Sequence, residues 1–301
     1  MISNFDELLK VAIERGPKKV AVACAEDEEI LKALKFAYEK KIVEPILVGD
    51  LEKIKEIVKS IDFDIRKIET YDIKTMEAAA EKAVKLVSSG SADMVMKGLI
   101  DTSKILKAVL NKDYGLRTGN VLSHVAVFDV KAYHKLLFVT DAAMNIAPDV
   151  DQKKQIIENS LEVVRAVDID EPKVGIICAK EKVNPKMPCT IDAAELVKMN
   201  EEGTLKGCIV GGPFALDNAV SKEAAKIKGI DHPAAGDSDV LLCPNIESGN
   251  ILYKALNFLC DAKSAGIIVG ASAPIVLTSR ADSEEAKLNS IALGTLMAAK
   301  K

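Results

Sequence analysis

An apolar run that ends in Thr278-Ser279-Arg280 and passes at once into Asp282, Glu284 and Glu285 has the residue types needed to handle an anion. Ser279 can donate a hydrogen bond, and the Arg280 guanidinium can grip a phosphate with two donors. Asp282 and Glu285 are possible bases at the same place. A helix starting there would favour carboxylates for its macrodipole alone.

Three further segments carry groups of the same kind. In ADMVMKGLIDTSKILK, Lys97-Gly98 closes a strand-like run just before a helix start, where Asp101, Thr102 or Ser103 can cap. Ligands of open α/β sheets sit at such strand ends, and the free N–H groups of the next helix favour an anion. Lys104 and Lys107 stand on its first turns. In GLRTGNVLSHVAVFD, Arg117 stands near glycines that let backbone and guanidinium approach a phosphate, and Ser123-His124 enters a strand. In DVLLCPNIESGN, a buried strand leads through Asn245 to Gly249-Asn250 at a helix start. Solvated lysines, a surface turn and a buried structural histidine would produce the same letters. Each segment alone is therefore weak.

The elements that must position these residues follow from the hydrophobic pattern. Short β-branched runs (18–24, 45–49, around Ile68, 94–98) alternate with helical spacing over 28–40, 51–60, 76–88 and from about Thr102. Alternation of this kind predicts parallel strands joined by right-handed crossovers. Runs at 121–130 and 136–140 are too close together for a crossover and predict an antiparallel pair. The alternation then resumes with helices expected at 152–167, 191–200, 221–228, 249–261 and 283–299, and strands at 174–179, 208–210, 240–243 and 266–270. The pattern gives an α/β chain, and 301 residues suit one large or two ordinary domains.

Composition removes several classes. The chain carries 45 acids against 41 bases, a balance that argues against general nucleic-acid affinity. No apolar run reaches the ~18 residues needed to cross a bilayer, and the amino terminus lacks a signal-peptide pattern, so a cytoplasmic location is expected. The six cysteines include no CxxC pair and read as thiols of a reducing compartment. No HExxH, paired CxxC or EF-hand loop is present, so no metal is expected, and the lack of a Walker pattern or of a GxGxxG after the first strand removes the two commonest nucleotide signatures.

Taken in order, the segments MVMKG, DTSKILKAVLN, GLRT, LSHVAVFD, LLFVTDAAMN, NPKMP, GGPFALDNAVSKEAA, GDSDVLLCPNIESGN and GASAPIVLTSRADSEE resemble the phosphate acetyl/butyryltransferase family over nearly the whole chain. GLRTGN, GGPFALDNAVS and LTSRADS resemble its butyryl branch most. The resemblance implies two doubly wound α/β domains, similar to the isocitrate/isopropylmalate dehydrogenase fold, with the active site in the cleft between them. The expected division is 1–128 plus 268–301, carrying Ser279 and Arg280, and 129–267, through which a homodimer would form. It also implies the reversible conversion of butyryl-CoA and phosphate to butyryl phosphate and CoA, with no bound cofactor and CoA as a substrate. Ser279 and Arg280 match the family's Ser-Arg pair, which contacts the thioester and the phosphate. Lys107 falls one residue from the acetyl branch's phosphate-binding Arg.

One position departs from the pattern. The acetyl branch has a proposed basic Asp seven residues beyond the Ser, and here that position is Ala286. Either Glu285 or Asp282 substitutes, or no strong base is needed. A thiol of pKa ~8.5 is already a few per cent ionised at neutral pH, so full deprotonation would gain only about 1.5–2 kcal/mol. Three alternatives stand beside this reading. One is an acetyl or broad short-chain preference, and another is a CoA- or acyl phosphate-binding sensor without turnover. The third is a metal-dependent dehydrogenase, which would need a cluster of Asp ligands that the sequence lacks.

Overall fold

The computed structural model describes residues 1–278 and 282–300. From the amino terminus the elements run α1 (Phe5–Arg15), β1 (Lys18–Ala23), α2 (Glu28–Glu39), β2 (Val43–Gly49), α3 (Leu51–Ser60), β3 (Glu69–Asp72), α4 (Met76–Ser88), β4 (Met94–Lys97) and α5 (Thr102–Val109). Next come β5 (Ser123–Asp129), β6 (Leu137–Thr140), α6 (Val150–Ala166), β7 (Lys173–Ile177), α7 (Pro188–Glu201), β8 (Ile209–Phe214), α8 (Leu216–Val220), α9 (Lys222–Ile227), β9 (Val240–Leu242) and α10 (Ile246–Phe258). The chain closes with β10 (Lys263–Val269), β11 (Ile275–Val276) and α11 (Glu284–Ala299).

The contacts divide these elements into two compact units. The first comprises Phe5–Asn120 with Ala265–Lys301, and the second Met1–Asn4 with Val121–Ser264. In the first unit the strands lie in the order β3-β2-β1-β4-β11-β10. The pairs β3–β2, β2–β1, β1–β4 and β4–β11 are parallel. The chain steps outward from β1 to β3 and then returns to β4 on the other side of β1. The direction of winding therefore reverses between β1 and β4, the switch point at whose carboxyl ends open α/β sheets form a ligand crevice. β1 and β4 are buried at nearly every position, with Val20, Ala21, Val22, Met94, Val95 and Met96 wholly inaccessible. That explains their unbroken apolar runs. The 16-residue α11 is buried over most of its length, which suits a sequence with no polar stripe.

The second unit has the order β5-β6-β9-β7-β8. β6, β9, β7 and β8 are parallel neighbours, and β5 runs antiparallel to β6 with Ala126 opposite Val139. Its core holds Phe128, Val139, Phe214, Leu241 and Leu256. α6 starts with a capping box between Asp149 and Gln152, two reciprocal bonds that fix its first residue.

Several expected elements shift. The last sheet strands are not a simple continuation of the parallel series, because β10 runs antiparallel to β11. α10 starts three residues earlier than its apolar spacing predicts, because Asn245 accepts a hydrogen bond from the Ser248 N–H and caps it. α7 begins at Pro188, a residue preorganised for the first helical turn.

Candidate functional site

In the first unit Lys97, Gly98 and Thr102 lie at the carboxyl edge of β1 and β4. Lys97 ends β4 with only 7% of its side chain surface exposed. The next residue must be glycine. The Gly98 N–H donates to the Ala23 carbonyl at 2.8 Å, and a Cβ there would lie 2.0 Å from the carbonyl oxygen of Cys24. Cys24 itself takes a positive φ of 57° to leave the strand. Thr102 opens α5 behind the N-cap Asp101, and Lys107 is exposed on the last turn of that helix. Lys104 pairs with Glu77 of α4 at 2.7 Å, which holds the Glu77 carboxyl below its ordinary range.

β11 extends this edge. Its Val276 is level with Met96, so Thr278 reaches the same border as Gly98. Ser279 and Arg280 follow and lie outside the described residues. Asp282 and Glu285 flank the start of α11. There Ser283 caps the helix by accepting from the Ala286 N–H at 3.1 Å, and Lys287 donates to the Asp282 carbonyl. Glu285 is exposed in the first turn, whereas Ala286 is buried.

Arg117 stands elsewhere. It bridges to Ala271, and Thr118 Oγ1 donates to the Gly270 carbonyl. Because β10 is antiparallel to β11, residues 270–271 lie at the amino edge of the parallel strands. The structure therefore does not bring Arg117 to Lys97 and Gly98. Its neighbouring glycines serve the fold: a Cβ on Gly115 would lie 2.3 Å from the Asn111 carbonyl oxygen, and Gly119 has φ 94°.

In the second unit Ser123, His124, Asn245, Gly249 and Asn250 share the carboxyl edge of β6 and β9. Ser123 is fully buried, and its Oγ accepts from Asn159 Nδ2 at 3.0 Å. The His124 ring stands edge-on to Tyr253 with centroids 5.9 Å apart. Asn245 Oδ1 accepts from the Ser248 N–H, and the Ile246 N–H donates to Ile146, so these first-turn donors of α10 are already engaged. Asn250 Nδ2 donates to the Ala142 carbonyl at 3.1 Å, and a Cβ on Gly249 would lie 2.2 Å from the Asp141 carbonyl oxygen. These residues hold one another and the loop that follows β6.

The centre of that loop is Asp141, a residue the motif analysis did not single out. It is 3% exposed, and its carboxylate accepts from the N–H groups of Ala143, Met144 and Asn145 and from Asn145 Nδ2. Asn145 also donates to the Leu122 carbonyl at 2.8 Å. The Asp four residues ahead of an Asn, directly after an apolar run, was the available signal.

Four of the six cysteines are buried and held as protonated thiols. Burial, then the charges of Glu26 and Glu77, push the Cys24 thiol up to about 12 against the opposing pull of Lys104 and Lys97. Burial also raises Cys178, Cys208 and Cys243. A thiol so raised is protonated at neutral pH and attacks a substrate arriving from solution poorly. Among the described residues no helix is long and apolar enough to cross a membrane.

These features define an α/β chain with Lys97 and Gly98 at a parallel-strand edge, beside the Lys104–Glu77 pair. Residues 4–84 and 74–295 match the family described as "Phosphate acetyl/butaryl transferase". The phosphate butyryltransferase of Clostridium beijerinckii is 53% identical over 300 residues, covering 100% of this chain and 99% of that protein. The phosphate acetyltransferase of Thermotoga maritima is 45% identical over 294 residues, covering 98% and 99%. The crystal structure of a branched-chain phosphotransacylase from Enterococcus faecalis superposes with a TM-score of 0.83 at 34% identity, covering 93% of this chain and 99% of that one. The chain belongs to the phosphate acetyl/butyryl transferase family.

Proposed function

We propose that this enzyme interconverts butyryl-CoA and phosphate with butyryl phosphate and CoA by direct displacement in a ternary complex. The observation that carries the reading is the register of β11 on β4, which brings Thr278, leading to Ser279 and Arg280, level with Lys97-Gly98 and the start of the next helix. A phosphate oxygen attacks the thioester carbonyl carbon, and the carbonyl electrons move to oxygen. Hydrogen-bond donors stabilise that oxyanion, with Ser279 assigned this role and Arg280 the phosphate. Collapse of the tetrahedral intermediate breaks the carbon–sulfur bond, CoA leaves as thiolate, and butyryl phosphate remains. Holding both reactants together supplies much of the rate, because a bimolecular encounter becomes effectively unimolecular.

The Lys107 ammonium supplements the phosphate site. Asp282 or Glu285 takes the thiol proton in the reverse direction, a modest contribution for a group that is already partly ionised. CoA is a substrate in this scheme, not a resident group. The enzyme works as a cytoplasmic homodimer that binds neither nucleic acid nor membrane. In the second unit, the Asp141 loop and the Asn245–Asn250 turn serve as the rigid floor of a substrate subsite.

The three relatives carry names with three different acyl groups, so chain length is the property to test. One methylene in an apolar pocket is worth ~1–3 kcal/mol, so two carbons can discriminate strongly. Thiol release from butyryl-CoA and acetyl-CoA, each with and without phosphate, decides it. Phosphate-dependent release at least about tenfold faster with butyryl-CoA is expected, a difference equal to ~1.4 kcal/mol. Equal or faster release from acetyl-CoA would move the enzyme to acetyl transfer, and none from either would leave a binding protein.

A further inference from the structure

Cys178 and Cys189 form a side-chain cluster that the acyl-transfer scheme does not use. Cys178 directly follows β7, and Cys189 is the second residue of α7. They are eleven positions apart in sequence, yet Cys178 Sγ donates to the Cys189 carbonyl at 3.3 Å and its thiol also meets the Cys189 thiol. Cys178 is buried, and Cys189 is half-buried.

The segment between them is held at both ends. The Asn184 N–H donates to Thr190 Oγ1 at 2.8 Å, and the Thr190 hydroxyl donates to the Met187 carbonyl at 2.8 Å. The Glu181 carboxylate accepts from Asn218 Nδ2 at 2.6 Å and from Lys228 Nζ at 2.7 Å. These tethers keep the two thiols together. Burial keeps the Cys178 thiol protonated, and the charge of Lys153, itself 5% exposed and paired with Asp192, opposes that only in part, so contact with Cys189 and not acidity suits Cys178 to act second. Cys189 lies in the first turn of α7, where the helix dipole favours a thiolate.

We propose that Cys178 and Cys189 are a redox-responsive dithiol that a low-molecular-weight disulfide converts into an intramolecular disulfide. The more accessible Cys189 loses its proton and attacks one sulfur of the incoming disulfide, expelling the first thiol and forming a mixed disulfide. Cys178 then gives up its proton and attacks Cys189 Sγ, and the second low-molecular-weight thiol leaves. Two protein thiols are oxidised and one disulfide is reduced to two thiols. The new bond closes the segment 178–189. Its first residue is two beyond Ile176, the partner of Leu242, and is therefore level with Pro244 beside the Asn245 turn.

The test incubates the whole protein with oxidised glutathione, then maps disulfides and adducts by peptide mass spectrometry under acid quench. Wild type should carry a Cys178–Cys189 bond, reversed by dithiothreitol, with glutathione found on the exposed Cys260 as proof that the reagent acted. The Cys178→Ser variant should stop at a glutathione adduct on Cys189. A stable glutathione adduct on wild-type Cys189, or two free thiols at 178 and 189 while Cys260 has reacted, would overturn the proposal.

Discussion

Single side chains in this protein divide into those that hold structure and those left to meet a ligand, and the division can be tested at each. Asp141 gathers four donors in a buried place, so Asp141→Ala leaves three backbone N–H groups without their acceptor. A loss of about 2–4 kcal/mol in urea unfolding is expected, with Asp141→Asn recovering part of it. Asp237 shows how charge pairing sets acid stability. Burial alone would raise its carboxyl, but the hydrogen bond from Lys173 and the charge of Lys135 outweigh it and hold the group near pH 2. The folded value lies below the unfolded one, so the group stabilises the fold above about pH 4, and that contribution is lost as pH falls towards about 2. Asp237→Asn should flatten that part of the stability-against-pH curve. At the reaction itself, replacing Asp282 or Glu285 by Ala should lower kcat for acyl transfer to CoA by less than about thirty-fold, the most that thiol deprotonation can supply at neutral pH. A loss of a thousandfold in either variant would make that carboxylate an obligatory base.

Elements decide which of the sequence candidates can act together. The crevice at β1 and β4 depends on close strand-end packing, so Gly98→Ala forces a Cβ to within 2.0 Å of the Cys24 carbonyl oxygen. Destabilisation of about 2 kcal/mol and loss of phosphate-dependent turnover are expected, the first read by thermal unfolding and the second by thiol release. The strand–helix alternation and the antiparallel β5–β6 pair were legible because their apolar runs are long enough to show a period. The two-residue β11 and five-residue α8 were not, since nothing that short displays one. Lys97-Gly98 could be placed at a strand end from its letters. Arg117 could not, because its position is fixed by a long-range bridge to Ala271 that no local pattern encodes. Asp141 escaped notice for a related reason: three of its four donors are backbone N–H groups, which every loop has.

At the scale of the whole molecule, the phosphate acyltransferase reading rests on family membership joined to the strand edge that carries Lys97, Gly98 and Thr278 in the first unit. Burial raises the thiols of Cys24, Cys178, Cys208 and Cys243, which argues against an acyl-enzyme on those four residues. The sequence alone carried this reading far, because its motifs recur in order along nearly the full length. The acyl preference was not legible, since a pocket's shape comes from side chains distant in sequence. Label exchange from free CoA into butyryl-CoA tests the central claim most directly, measured first without phosphate and then after phosphate is added. The account predicts no exchange until phosphate is present and rapid exchange afterwards. Exchange without phosphate would demonstrate an acyl-enzyme, and absence of exchange in both conditions would contradict acyl transfer to phosphate altogether.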